Sequence, residues 1–134
     1  KIKIVPTPFN TILWEAIIKT KDGLYYSEYS LFDRKLPTEF HFEKNDIAFI
    51  EEKKKIEALE PFFNFTEGYE LAKMENGKMC IYGTKFGPIS LENDKAVFFF
   101  PIVFNEDGTY YSENKEINNY GELLSKLWIR IKGN

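Results

Sequence analysis

The chain is poor in the residues that build most compact chemical sites. Its 134 residues include one cysteine, Cys80, and one histidine, His41. A single cysteine excludes an intrachain disulfide, and one His with one Cys falls short of an ordinary zinc site. Positive charge is not in excess either, because the formal net charge is −3. Phosphate binding needs a basic face, so nucleic acid is not an expected partner. Long apolar runs are missing. The longest, Ala96–Phe104, spans nine residues and carries Pro101, against about twenty for a membrane-spanning helix. The N-terminus has no signal-peptide pattern. These absences leave a soluble single domain over residues 1–134 as the expectation.

Aromatic residues are abundant: 13 Phe and 8 Tyr, within a hydrophobic share of 43%. Such a load favours strands, where rings pack on a pleated surface. Three Asx-Gly pairs, Asp22-Gly23, Asn76-Gly77 and Asp107-Gly108, each separate two runs of aromatic or β-branched residues. Each pair predicts a tight hairpin, since a type I′ turn needs positive φ at both central residues. The first hairpin is expected to pair Ile12–Lys21 with Leu24–Phe32. Ile12, Trp14, Ala16 and Ile18 would then share the core face with Tyr25, Ser27, Tyr29 and Leu31. The second joins Phe65–Glu75 to Lys78–Phe86, and the third Ala96–Asn105 to Thr109–Ser112. Pro101 marks the third as an edge or a bulge. A short strand, Glu39–Glu43, would turn Glu39, His41 and Glu43 outward and Phe40 and Phe42 inward.

Two helical regions interrupt the strands. Asn45 or Asp46 can cap a segment holding Ile47, Ile50, Ile56 and Leu59, with Pro61 as its stop. At the C-terminus, Tyr120, Leu123, Leu124, Leu127, Trp128 and Ile131 follow helical spacing. Asn118 or Asn119 would cap this helix and Gly133 would end it. Arg130 and Lys132 stand at the negative end of its dipole. No repeat, low-complexity tract or linker is visible. The expected fold class is α+β: one mostly antiparallel sheet of six or seven strands, built from three hairpins, with a mid-chain helical region and a C-terminal amphipathic helix.

Candidate chemistry is sparse. His41 between Glu39 and Glu43 suggests a base or a metal ligand, but same-face neighbours on a strand stand about 7 Å apart. An exposed strand histidine is the preferred reading. Glu15 and Glu28, on neighbouring strands, could form an acid/base carboxylate pair, with an ordinary salt bridge to Lys19 as the preferred alternative. Cys80 reads as a small buried hydrophobe. Gly83-Thr84-Lys85-Phe86-Gly87-Pro88 lacks the spacing of a phosphate-binding loop and reads as a turn, with Lys85 left as an anion contact. The stripe Trp14, Tyr25, Tyr26, Tyr29 and Phe32 could line a pocket, although core packing explains it as well. Glu51–Lys55 reads as a solvated helix face.

The most distinctive stretch is Pro6-Thr7-Pro8-Phe9-Asn10-Thr11-Ile12-Leu13-Trp14, whose prolines force an extended approach to a strand. With Tyr29-Ser30-Leu31-Phe32-Asp33, Phe65-Thr66-Glu67-Gly68-Tyr69 and Phe86-Gly87, it resembles the C-terminal half of the predicted membrane-bound metal-dependent hydrolases. These are also described as LexA-binding, inner-membrane-associated hydrolases. Leu127-Trp128-Ile129-Arg130-Ile131-Lys132-Gly133-Asn134 is similar to the ending of Bacteroidetes members. Where that family has a pattern close to Asp-Leu-Arg-Phe-Gly, this chain has Tyr82-Gly83-Thr84-Lys85-Phe86-Gly87, with Lys85 in place of the arginine.

The resemblance, together with a start at Lys1, implies a piece of a longer bacterial protein. It implies an accessory soluble domain tethered to the inner membrane, with no catalytic residue and no cofactor in this chain. A divalent metal would belong to an N-terminal half, and the membrane half of the same polypeptide would be the partner. A non-catalytic module for a small ligand or a protein is the alternative. Asn10, Trp14, Tyr29, Asp33 and Lys85 are the binding candidates.

Overall fold

A computed structural model describes residues 1–7, 11–88, 90–92, 95–98, 101–113 and 120–133. The order is β1 (Ile2–Pro6), β2 (Leu13–Lys19), β3 (Gly23–Ser30), β4 (His41–Lys44), α1 (Ile47–Lys53), a 3-10 turn at Glu57–Leu59, α2 (Glu60–Thr66), β5 (Glu70–Glu75), β6 (Lys78–Gly83), β7 (Ser90–Glu92), β8 (Lys95–Val97), β9 (Ile102–Phe104), β10 (Tyr110–Ser112) and α3 (Tyr120–Ile131). The class is α+β, but the strands do not form one sheet. A first four-stranded antiparallel sheet runs β1-β2-β3-β4 and a second runs β10-β9-β6-β5; β7 and β8 make a separate hairpin.

The two four-stranded sheets pack face to face. Val5, Ile17, Leu24 and Tyr26 of the first meet Leu71, Cys80, Tyr82 and Val103 of the second, and Tyr69, just before β5, and Phe98, just after β8, complete the same cluster. Ala72, Ile81, Ile102 and Phe104, on the far face of the second sheet, pack with Ile50 and Leu59 from the helical region. The second sheet is therefore the middle layer, which explains why Glu70–Ala72, Cys80–Tyr82 and Ile102–Phe104 are buried without alternation.

Local chemistry explains several boundaries. Asp46 caps α1 by accepting from the Phe49 N–H at 3.0 Å. Asn45 plays a different part. Its buried amide donates to the Glu70 carbonyl at 2.8 Å and accepts from the Ala72 N–H at 2.7 Å. It thereby satisfies the edge of β5 as a strand would. Pro61 opens α2 instead of stopping a helix, in the first turn where a missing N–H costs nothing. Phe65 consequently lies in α2, and the second hairpin begins at Glu70. Its turn is the expected one, with Asn76 and Gly77 both at positive φ. Pro101 precedes β9; the strand expected over Ala96–Asn105 divides into β8 and β9, with Asn105–Thr109 as the loop to β10. Gly133 follows α3 at φ 80°, as expected of a helix stop, while Asn118 and Asn119 lie outside the described residues.

The first hairpin corrects the sequence reading most. Lys19 pairs with Leu24, which centres the loop on Lys21-Asp22. Trp14, Ala16 and Ile18 do share a face with Tyr25, Ser27 and Tyr29, but it is the outer face. Leu13, Glu15, Ile17, Leu24 and Tyr26 point inward. The short strand β4 is inverted in the same way. His41 stacks on the buried Tyr26 ring at 5.4 Å, whereas Phe42 meets Tyr25 outside at 4.7 Å. Gly23 serves space here and has no positive φ. A Cβ on it would come within 2.3 Å of the Glu43 carbonyl oxygen and 2.5 Å of the Phe42 ring. We therefore expect Gly23→Ala to push β4 off the sheet and cost about 1–3 kcal/mol; urea unfolding with an unchanged midpoint would contradict this packing.

Candidate functional site

Two places combine unusual residues with defined geometry: a buried carboxyl cluster at one end of the sandwich and the outer face of the first sheet.

The cluster starts from register. Glu15 pairs directly with Glu28 across β2 and β3, and with Val5 of β1. Alternation fixes both glutamates on the inner face. Glu15 is 2% exposed, and its Oε1 has no hydrogen-bond partner among the described residues. Gly87, at φ 74°, closes the loop over it; a Cβ there would sit 2.6 Å from the Glu15 Cγ. Burial chiefly, and then the neighbouring Glu28, push the Glu15 carboxyl up to about 8, against a smaller pull from Arg130. Glu15 is thus mostly protonated at neutral pH. Burial also raises Glu28, opposed by Arg130.

Arg130 organises the rest. Its Nε lies 2.7 Å from Glu28 Oε1, and its Nη2 donates to the Glu28 carbonyl at 3.0 Å. Nη1 and Nη2 also donate to the two Asp33 oxygens at 2.8 and 2.7 Å, a bidentate pair. Asp33 accepts from the Ser30 N–H at 2.9 Å, and the Ser30 hydroxyl donates to the Ile131 carbonyl at 2.9 Å. The C-terminal end of α3 is fastened in this way to the β3 turn. Asp33 is therefore committed to a structural clamp. Sequence reading gave Arg130 a dipole role only. The available signal was its position between Leu127 and Ile131, on the half-buried side of an apolar helix.

Chemically, a protonated carboxyl beside one held by a guanidinium is the raw material of acid/base catalysis. Catalysis also needs access, and the loop around Gly87 occupies the space over Glu15. His41 stands with Tyr26, one same-face step along β3 from Glu28. An open groove of about 460 Å³ runs beside α3, lined by Lys126, Ile129, Arg130 and Gly133. At the opposite end of β2, Lys19 lies 3.8 Å from buried Glu70, which shares the helix-facing side of β5 with Ala72 and accepts from the Thr66 hydroxyl and the Gly68 N–H. Lys19, expected near Glu15, belongs to this site.

The remaining candidates separate. Trp14 and Tyr29 are brought together as a register pair on the outer face, with the indole N–H donating to the Thr11 carbonyl at 3.0 Å. Lys85 pairs with Glu67 at 2.6 Å and lies over the Phe65 and Phe86 rings. Asn10 lies outside the described residues. Of the aromatic stripe, Tyr26 is in the core and Tyr25 and Phe32 are exposed, so the stripe is divided between the two faces.

Three cross-strand rows make up most of the outer face, Ile2–Ile18–Tyr25–Phe42, Ile4–Ala16–Ser27 and Pro6–Trp14–Tyr29, with the Gly23–Lys44 pair at its end beyond Phe42. None of the three rows contains a charged side chain. Ile2 and Ile4 are 69% and 65% exposed, Phe42 46% and Tyr25 38%. Ser27 is covered locally, donating to the Glu39 carbonyl at 2.9 Å where the chain crosses toward β4. Among the described residues no helix is long and apolar enough to cross a membrane, and no group of three or more His, Cys, Asp or Glu is placed to hold a metal. No family model matches the chain, and neither a curated protein nor a solved structure matches it.

Two expectations follow. Glu15 titrates near 4.5 when unfolded and about 8 when folded. Between those values the folded state holds a proton that the unfolded state has lost, so stability falls as pH rises through this window. Glu15→Gln should flatten the slope. The variant should gain on the order of 3–5 kcal/mol over the native chain at pH 9, relative to pH 4. Parallel pH–stability curves from urea unfolding would show that Glu15 is not the source. Secondly, Arg130→Ala should strand Asp33 and Glu28, cost about 2–4 kcal/mol and speed hydrogen exchange in α3. Arg130→Lys should not restore protection, since lysine lacks the bidentate fork.

Proposed function

We propose that this chain is a non-catalytic docking domain, the accessory domain of a membrane-anchored hydrolase polypeptide of the kind its sequence segments resemble. The supporting observation is the outer face of the first sheet. An antiparallel sheet that faces water normally turns its polar residues outward. This one places Glu15, Glu28, Lys19 and Glu43 on the inner side among its aliphatic residues and presents Ile2, Ile4, Trp14, Tyr25, Tyr29 and Phe42 outside, with Lys44 at the margin beyond Phe42. Core stability would favour fewer ionisable groups inside, because buried carboxyls cost free energy. A contiguous apolar patch of this kind is the mark of a protein interaction surface.

The reading assigns catalysis elsewhere in the longer polypeptide and gives this domain the work of holding surfaces together. The acid/base alternative is disfavoured by the closure of the loop over Glu15. A small-ligand module is less well supported, because the exposed rings of the stripe lie on a sheet face.

Cross-linking of the longer protein tests this. Ile4→Lys combined with Phe42→Glu should abolish its cross-linked complexes, whatever their composition, while the melting temperature of the domain shifts by only about 2–4 °C. Complexes unchanged by the double substitution would overturn the docking role of this face.

A further inference from the structure

We infer that the occupant of the outer face is a second copy of this chain, seated by a two-fold axis parallel to the strands. The inference rests on the docking reading above and deepens it. Three features carry it.

The first is charge. Rows Ile2–Ile18–Tyr25–Phe42, Ile4–Ala16–Ser27 and Pro6–Trp14–Tyr29 carry no ionisable group except the tyrosine hydroxyls. A partner must match them with an uncharged surface, or it would strand its own charges on association. The same face of a second molecule meets that requirement automatically.

The second is area. Ile2, Ile4, Tyr25 and Phe42 are exposed by 69, 65, 38 and 46%. At ~200 Å² for a fully exposed large side chain, they offer roughly 440 Å² per copy. Two copies together reach roughly 900 Å², at the small end of interfaces, where weak and transient complexes lie. A weak, reversible dimer with Kd of roughly 1–100 µM is the matching expectation.

The third is relief. The face is aliphatic at the β1 edge, with Ile2 and Ile4, shallow in the middle at Ala16 and Ser27, and aromatic at the β4 edge, with Tyr25 and Phe42. A two-fold axis along the strands lays the β1 edge of one copy over the β4 edge of its partner. In the first row the rings of Phe42 and Tyr25 then meet the aliphatic Ile2 and Ile18 of the other copy, while in the third Trp14 meets Tyr29, at the usual sheet spacing of about 10 Å. An axis across the strands would set ring on ring and open a wedge. The resulting order is middle sheet, outer sheet, partner's outer sheet, partner's middle sheet.

Sedimentation of the full 134-residue chain from ~1 µM to ~1 mM tests the proposal, since that range brackets the expected Kd. A monomer–dimer equilibrium is expected. Ile4→Lys and Phe42→Glu, each alone, should raise Kd by at least about tenfold, as buried hot-spot residues do. Circular dichroism should stay unchanged. Mixing Phe42→Glu with an Ile2→Lys chain should restore a dimer, because Ile2 and Phe42 share a row and the lysine of one would face the glutamate of the other. A chain that stays monomeric to ~1 mM would overturn self-association. It would leave the docking role to be judged by the cross-linked complexes of the longer protein. A dimer indifferent to both substitutions would remove this face as the interface. A mixture that fails to re-form would overturn the proposed axis.

Discussion

The arrangement depends on one constraint: the second sheet is buried on both faces. Leu71, Cys80, Tyr82 and Val103 look toward the first sheet, while Ala72, Ile81, Ile102 and Phe104 look toward the helices. A layer covered on both sides must satisfy every backbone group inside the protein. Its edge at β5 meets this through Asn45, whose amide stands in for a neighbouring strand. That residue also leads directly into the Asp46 cap of α1. Two consecutive residues at the end of β4 therefore tie the second sheet and the helical layer to the first sheet, whose loop carbonyl at Asp22 accepts from the Asn45 N–H at 3.2 Å.

The middle layer also sets the chemistry at the two ends of the sandwich. On the inner face of β2 and β3, ionisable side chains stand among aliphatic ones, with Glu15 between Leu13 and Ile17. Lys19 and Glu70 close one end, with Thr66 and Gly68 completing the acceptor side. Glu15, Glu28, Asp33 and Arg130 close the other. The second closure joins residues 97 positions apart in sequence, so the C-terminal helix is held by the same hairpin that forms the outer face. Buried polar groups of this kind specify an arrangement more than they stabilise it. A protonated Glu15 lowers the electrostatic cost of placing two carboxyls opposite each other.

The local rules were legible in the sequence. The Asn76-Gly77 turn, the Asp46 cap, the Gly133 stop and the division of the first hairpin into two residue sets all follow from short-range chemistry. Which set faces inward was not legible. Both sets contain apolar residues, and the outer one is the more aromatic, so alternation alone favours the wrong choice. The decision comes from residues far along the chain, since Tyr69, Tyr82 and Phe98 fill the space against Tyr26 and Ile17. The Glu15–Glu28 juxtaposition could be proposed from sequence because hairpin pairing is local. Arg130 could not be placed beside it, because a helix dipole argument carries no information about distant carboxylates.

Gly23 has a consequence that reaches beyond its own strand. By leaving bare backbone beside the Phe42 ring, it makes room for that ring to contact Tyr25 at 4.7 Å. The absence of a side chain on β3 thus sets where an aromatic one on β4 can sit, so a change at position 23 would be felt on the outer surface as well as in the backbone pairing.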